Sequence, residues 1–309
     1  MAYRFKHGDS SVQDALRRIA LDQIDKAIEE TNERALSIHE KVHQARKRCK
    51  KLRGLLRLVR PAFDDYRAEN ACFRDAARAL SFVRDAEVLI GTYDGVVDAY
   101  RDQIERAAFG AIRRRLTLRR KAIAERQREV KRRLAHVGEI MREARRRARD
   151  WRLSDSGFDA LAGGLGKTYK RAAKAIAAAQ SDPTPEAFHE WRKRIKYHGY
   201  HARLLSPIWR EPLKAHREAA ERLSDLLGAH HDLTVFQQAL AEPDAFHKPA
   251  EIAVMIGLAR RRQAALASDA FPLGTRLLAE PTAHLAARWQ AYWDIWRQEG
   301  ASSETALAA

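Results

Sequence analysis

Cysteine is almost missing from the 309-residue chain: Cys49 and Cys72 are the only two, and they form no CxxC pair. That scarcity argues against a disulfide framework and predicts two buried free thiols in a reducing compartment. No uninterrupted apolar run is long enough to span a bilayer. The opening stretch, MAYRFKHGDS, lacks the apolar centre of a secretion signal. These absences predict a soluble, cytoplasmic protein with no membrane insertion. Alternating β-branched runs are missing too, which argues against strands. Acidic residues are the minority, 41 against 58 Lys and Arg, for a formal charge of +17. A surplus this large predicts a polyanionic partner, because Arg offers phosphate a planar fork of donors and keeps its charge.

What is present is helix. Ala, Leu, Arg, Glu and Gln dominate the chain. Ser10 and Ser11 can cap a helix that runs to about Leu36. Further helices are expected at about 38–60, ending before Pro61, and at 63–90, with Gly91 just after it. Residues 98–150 form one long basic helix, or two with a break at Gly138. Beyond a turn at Asp155, Ser156 and Gly157, helices are expected at about 158–179, 185–205, 211–241, 249–268 and 281–297. The last carries Leu285, Trp289, Tyr292, Trp293 and Trp296 at helical spacing, which predicts a packing seam. Residues 301–309 are expected to be a disordered tail.

The chain also resembles itself. Residues 42–61 read VHQARKRCKKLRGLLRLVRP and residues 188–207 read FHEWRKRIKYHGYHARLLSP. At one offset, His43 matches His189, Arg46 matches Arg192, Lys47 matches Lys193, Lys50 matches Lys196 and Arg57 matches Arg203. Both helices stop at a proline. Downstream, Leu80, Asp85 and Val88 correspond to Leu227, Asp232 and Val235. On a helix, Val42, Ala45, Cys49, Leu52, Leu56 and Val59 make an apolar stripe. His43, Arg46, Lys47, Lys50, Arg53 and Arg57 repeat that spacing one residue later, rotated by ~100° and about 20 Å long. In the second copy Phe188, Trp191, Ile195, Ala202 and Leu205 are apolar, and His189, Arg192, Lys193, Lys196 and Arg203 form the cationic line. Like charges stacked this way repel, and a linear polyanion would supply the missing charge. A single such stripe reads most simply as a solvated face. Two in register favour a binding surface, since a passive surface needs no particular residue at each position.

The paired H-x-x-R-K-x-x-K blocks, each followed by an L-x4-D segment, resemble the CHAD family, the conserved histidine α-helical domain. The resemblance covers about residues 10–300 and is stronger in the second half. It implies one all-α domain over residues 1–300, made of two pseudo-symmetric four-helix bundles (1–150 and 151–300). A basic channel between them would bind inorganic polyphosphate, without catalysis and without a cofactor. It places His43, Arg46, Lys47, Lys50, His189, Arg192, Lys193 and Lys196 on that channel. The first copy departs by carrying Arg84 beside Asp85 where the second has His231 beside Asp232. Some relatives carry a further N-terminal triphosphate-hydrolysing domain, for which the helical opening of this chain leaves no room.

Other motifs are weaker. GGLGKTYKR at 163–171 ends like a P-loop, but a P-loop needs glycine where Leu161 stands, and a preceding strand. The segment can still meet phosphate from a helix start, through Lys167, Lys170, Arg171 and Lys174 with a hydroxyl donated by Tyr169. Arg17 and Arg18 hold a similar place in the first half. His230, His231 and Asp232 suggest a metal-dependent phosphohydrolase, but the rest of its ligand set has no recognisable spacing. Asp85 and Asp232 are expected to accept hydrogen bonds from channel cations and orient them. His43 and His189 can donate to phosphate as neutral rings, or as cations below about pH 6.5. The basic run from Arg113 to Arg149, with Leu116, Ile123, Val130, Leu134 and Val137 on one edge, extends the polyanion surface or binds nucleic acid nonspecifically. The sequence leaves open whether such a protein sits on polyphosphate granules, regulates a polyphosphate enzyme or recruits a partner.

Overall fold

A computed structural model describes residues 3–242 and 249–308, apart from the side chains of 82–87, 123–124 and 303–308. Among these residues there are helices and no strand: α1 (Val12–Asn32), α2 (Ile38–Leu58), α3 (Tyr66–Ala79), α4 (Ser81–Ala99), α5 (Gly110–Glu125), α6 (Gln127–Ala148), α7 (Asp159–Ser181), α8 (Pro185–Leu205), α9 (Arg210–Leu240), α10 (Pro249–Leu277) and α11 (Thr282–Ala308). No described helix is long and apolar enough to cross a membrane.

Local chemistry starts the site-bearing helices. The Ser11 side chain caps α1 by accepting from the Asp14 N–H at 3.0 Å. Ser37 and Glu40 form a reciprocal capping box on α2. Thr184 caps α8 by accepting from the Ala187 N–H at 3.2 Å, and Pro185 follows in the first turn.

Tertiary contacts decide where other helices stop. The single helix expected over 63–90 is broken at Leu80, and the chain continues as α4 through Gly91. The carbonyls at the end of α3 are taken by arginines of neighbouring helices: Arg46 donates to Ala77 at 2.6 Å and Arg133 to Ala79 at 3.1 Å. The long basic helix divides at Arg126, and Gly138 lies inside α6. There Leu134, Val137 and Met141 are buried and hold the helix together. α10 passes through Pro272 and ends at Leu277 instead of near Ser268. Its Gly274 lies so close to Trp191 that an added Cβ would stand 2.4 Å from the ring. α11 likewise extends beyond Arg297.

α1, α2, α3 and α6 pack together, as do α7, α8, α9 and α10, with α11 against α7. Every residue of both predicted apolar stripes is buried in one core, joined by Leu285, Trp289, Trp293 and Trp296. A second core holds Tyr93, Val96 and Ile112 of α4 and α5 against Phe236, Met255 and Ala259 of α9 and α10. Besides this second core, the two halves meet where α2 packs on α7 and α8. Gly163 and Gly164 belong to this contact: a Cβ on Gly164 would stand 1.8 Å from the Leu58 carbonyl oxygen, and one on Gly163 would stand 2.9 Å from Pro61. The P-loop-like segment is therefore the interior of α7, and its paired glycines serve helix packing.

Candidate anion-binding groove

The crossing of α2 and α8 turns both cationic stripes toward one groove. His43, Arg46, Lys47 and Lys50 come from α2, and His189, Arg192, Lys196 and Tyr200 from α8. Val88 of α4 and His231, Asp232 and Val235 of α9 complete a cavity of about 470 Å³. Four residue pairs that match across the repeat stand here together: His43 with His189, Arg46 with Arg192, Lys50 with Lys196, and Val88 with Val235.

The cations are held in place. The bond from Arg46 to the Ala77 carbonyl ties its guanidinium to the C-terminal end of α3, where the helix dipole favours a cation. Arg192 lies along Gly228 of α9, whose added Cβ would be 3.5 Å from the Arg192 Nε. The rings of His189 and His231 are 4.6 Å apart. Burial, then Arg192 and Lys193, lowers the pKa of His189. Burial, then His189, Arg192 and His230, pushes His231 down to about 4. Both rings are therefore neutral at pH 7 and able to donate one N–H each.

Several expected residues lie elsewhere. Lys193 pairs with Glu190 on its own helix and does not line the cavity. Arg57 is buried, with its guanidinium 4.0 Å from the centre of the Tyr197 ring and a hydrogen bond to Asn70. Arg53 also donates to Asn70, at 3.2 Å. Arg203 is exposed beyond Tyr200 on α8. Arg17 donates to the Trp151 carbonyl at 2.8 Å, and Arg18 makes two hydrogen bonds to Asp9. Lys167, Lys170 and Arg171 are exposed on α7, outside the groove. Tyr169 is buried, and its hydroxyl donates to the Leu277 carbonyl at 3.4 Å, so the expected donation to phosphate is corrected.

The run from His230 to Asp232 divides. His230 turns inward and stacks on Phe188 with ring centres 4.0 Å apart, while His231 and Asp232 face the groove. Among the described residues no three His, Cys, Asp or Glu converge as a metal site. The expected roles of Arg84 and Asp85 fall on side chains outside the described residues. Sequence reasoning missed Tyr200 as a groove residue, although it stands where the first block has Gly54.

Solved structures share this fold. PptA from Streptomyces chartreusis superposes with a TM-score of 0.61 at 16% identity, over 86% of this chain and 100% of that one. The crystal structure of the CHAD domain from the plant Ricinus communis gives 0.61 at 19% identity, over 89% of this chain and 95% of that one. No curated protein matches by sequence. The CHAD domain family model matches residues 18–241, from α1 to the end of α9. With that match over most of its length, the chain belongs to the CHAD domain family.

Proposed function

We propose that the chain binds inorganic polyphosphate along the α2–α8 groove and works as a binding module, without catalysis. One observation carries the reading: matched cations of two repeats, Arg46 with Arg192 and Lys50 with Lys196, line a single cavity. Family membership supports the same ligand, which the resemblance to the family implied. Arg46, Lys47, Lys50, Arg192 and Lys196 neutralise successive phosphates and release counterions. His43, His189 and His231 add neutral donors, and Val88 and Val235 exclude water from part of the wall. Asp232 orients the cations and discourages a ligand that would fill the groove without reaching them.

The experiment is a salt-titrated competition. Labelled long-chain polyphosphate is bound to the protein and challenged with duplex DNA at equal phosphate concentration. For five neutralised phosphates, log K against log salt should fall with a slope of about −4. DNA should displace the label poorly, because the groove fits a thin chain. Ready displacement by DNA would move the binding surface to the exposed arginines of α5 and α6. Metal-dependent release of phosphate from the chain would overturn the non-catalytic reading.

A further inference from the structure

A second cationic cavity, of about 620 Å³, opens where the N-terminal segment meets the start of α9. Side chains 3–6 alternate in burial: Tyr3 and Phe5 are buried, Arg4 and Lys6 exposed. The Tyr3 hydroxyl donates to the Lys51 carbonyl at 2.7 Å and the Phe5 N–H to the Leu204 carbonyl at 3.0 Å. Phe5 also meets Trp293 edge-on, with ring centres 5.4 Å apart. These anchors hold Arg4 and Lys6 on the cavity wall, where α9 adds Arg210, Lys214 and Arg217.

Among the described residues no carboxylate lines this cavity. Asp9, the acid nearest to Lys6 in sequence, is occupied by Arg18 and by the Lys6 N–H, and Glu211 follows Arg210 directly. Lys214 has Glu218 of its own helix at 4.0 Å, and Arg217 has Glu218 at 3.9 Å and Glu221 at 3.7 Å. Arg4, Lys6 and Arg210 are exposed and make no ion pair among the described residues.

Along α8 the cavity lies beyond the groove, and the two share no lining residue. Tyr200 on the groove wall packs edge-on against Tyr3, with ring centres 6.1 Å apart, and Arg4 follows directly. Ser206 and Pro207, at the end of α8, line the second cavity. They lie about 15 Å along the helix from Lys196 at the helical rise per residue. Exposed Arg203 stands between them.

We propose that this cavity is a second phosphate-binding station, which holds the part of a polyphosphate chain that leaves the groove past Arg203. Long chains then bind at two stations, and short ones at the groove alone. The inference rests on the groove reading for its ligand, and the two are tested apart. Affinities for long-chain polyphosphate and for tripolyphosphate are measured across a salt series, on the parent chain and on R4Q/K6Q/R210Q. The expected result is about tenfold weaker binding of the long chain, with a salt slope shallower by about 2, and a tripolyphosphate affinity within twofold of the parent. Helical circular dichroism and the melting curve check the fold, and R4Q/K6Q replaces the triple variant if Arg210 proves necessary for α9. Unchanged long-chain binding overturns the inference, as does equal weakening of both probes, which would mean that the cations act only through net charge. If the parent binds neither probe, the groove reading itself fails and the second station falls with it.

Discussion

The ring of Tyr200 lies against the bare Cα of Gly54, at matching positions of the two repeat blocks. A Cβ on Gly54 would stand 2.8 Å from the Tyr200 Cδ2, and the imidazole Nε2 of His201 lies 3.1 Å from the Gly54 carbonyl oxygen. This contact sets how closely α2 and α8 cross, and so how far apart their cations stand. Gly54→Ala should destabilise the chain by about 1–3 kcal/mol, as overpacking does in a filled core. Gly164→Ala should cost more, because its Cβ meets the Leu58 carbonyl, which has no rotamer to yield. Denaturant unfolding of both variants checks the order, and Gly164→Ala proving the milder would count against this account of the α2–α7 contact.

Removing groove charge should remove binding and leave the fold. The variant R46Q/K47Q/R192Q/K196Q is expected to lose polyphosphate binding by at least about a hundredfold at moderate salt. Its helical circular dichroism should match the parent. Normal binding by this variant would show that the groove is misplaced.

Lys193 and Lys196 should not be equivalent. Lys193 has Glu190 as a partner three residues earlier, whereas Lys196 lines the cavity. Lys196→Gln is therefore expected to weaken polyphosphate binding several-fold, and Lys193→Gln by less than twofold. Titration of each single variant with the same labelled chain decides it.

Binding should strengthen in mild acid. His231 titrates near 4 in the free protein, and His189 is also lowered. A polyanion in the groove favours the charged imidazole and raises both values. Protons are then taken up on binding, so affinity should rise as pH falls from 7 toward 5. His231→Gln should flatten that dependence, and calorimetry in buffers of different ionisation enthalpy should count the protons.

Stability should move the other way. His198 and His216 face each other with their Nε2 atoms 2.6 Å apart, so one ring donates to the other. Burial holds His198 well below the usual histidine range and brings His216 to about 4 and His201 to about 3. These rings are neutral in the folded chain, while the unfolded chain takes up protons below about pH 6.5. Unfolded molecules thus bind more protons between pH 6.5 and about 4, and folding stability falls with pH across that window. A melting series from pH 7 to 4 on the parent and on His216→Gln should show a steep slope for the parent and a shallower one for the variant.

The helical class, the apolar stripes and the pairing of the two blocks were legible in the sequence, because helix periodicity and capping depend on residues three or four apart. The stripe residues between Val42 and Val59 and between Phe188 and Leu205 are buried as the spacing requires. Even the departure of Lys193 had a local signal: Glu190 precedes it, while Gln44 stands at the matching position before Lys47. Asn70 and Tyr197, which draw Arg53 and Arg57 out of the stripe, come from other helices, so no local pattern announces them.

The sequence by itself determined that this chain is helical, duplicated and cationic, since composition, periodicity and internal matching are all properties of the chain in order. Only the tertiary structure decided which cations share a cavity and that Tyr200 and His231 join them. It also decided that Arg4 and Lys6 meet Arg210 at a second one. The physical reason is distance along the chain: a groove between helices is fixed by how closely they cross, and here that crossing depends on a glycine in one block and a tyrosine in the other.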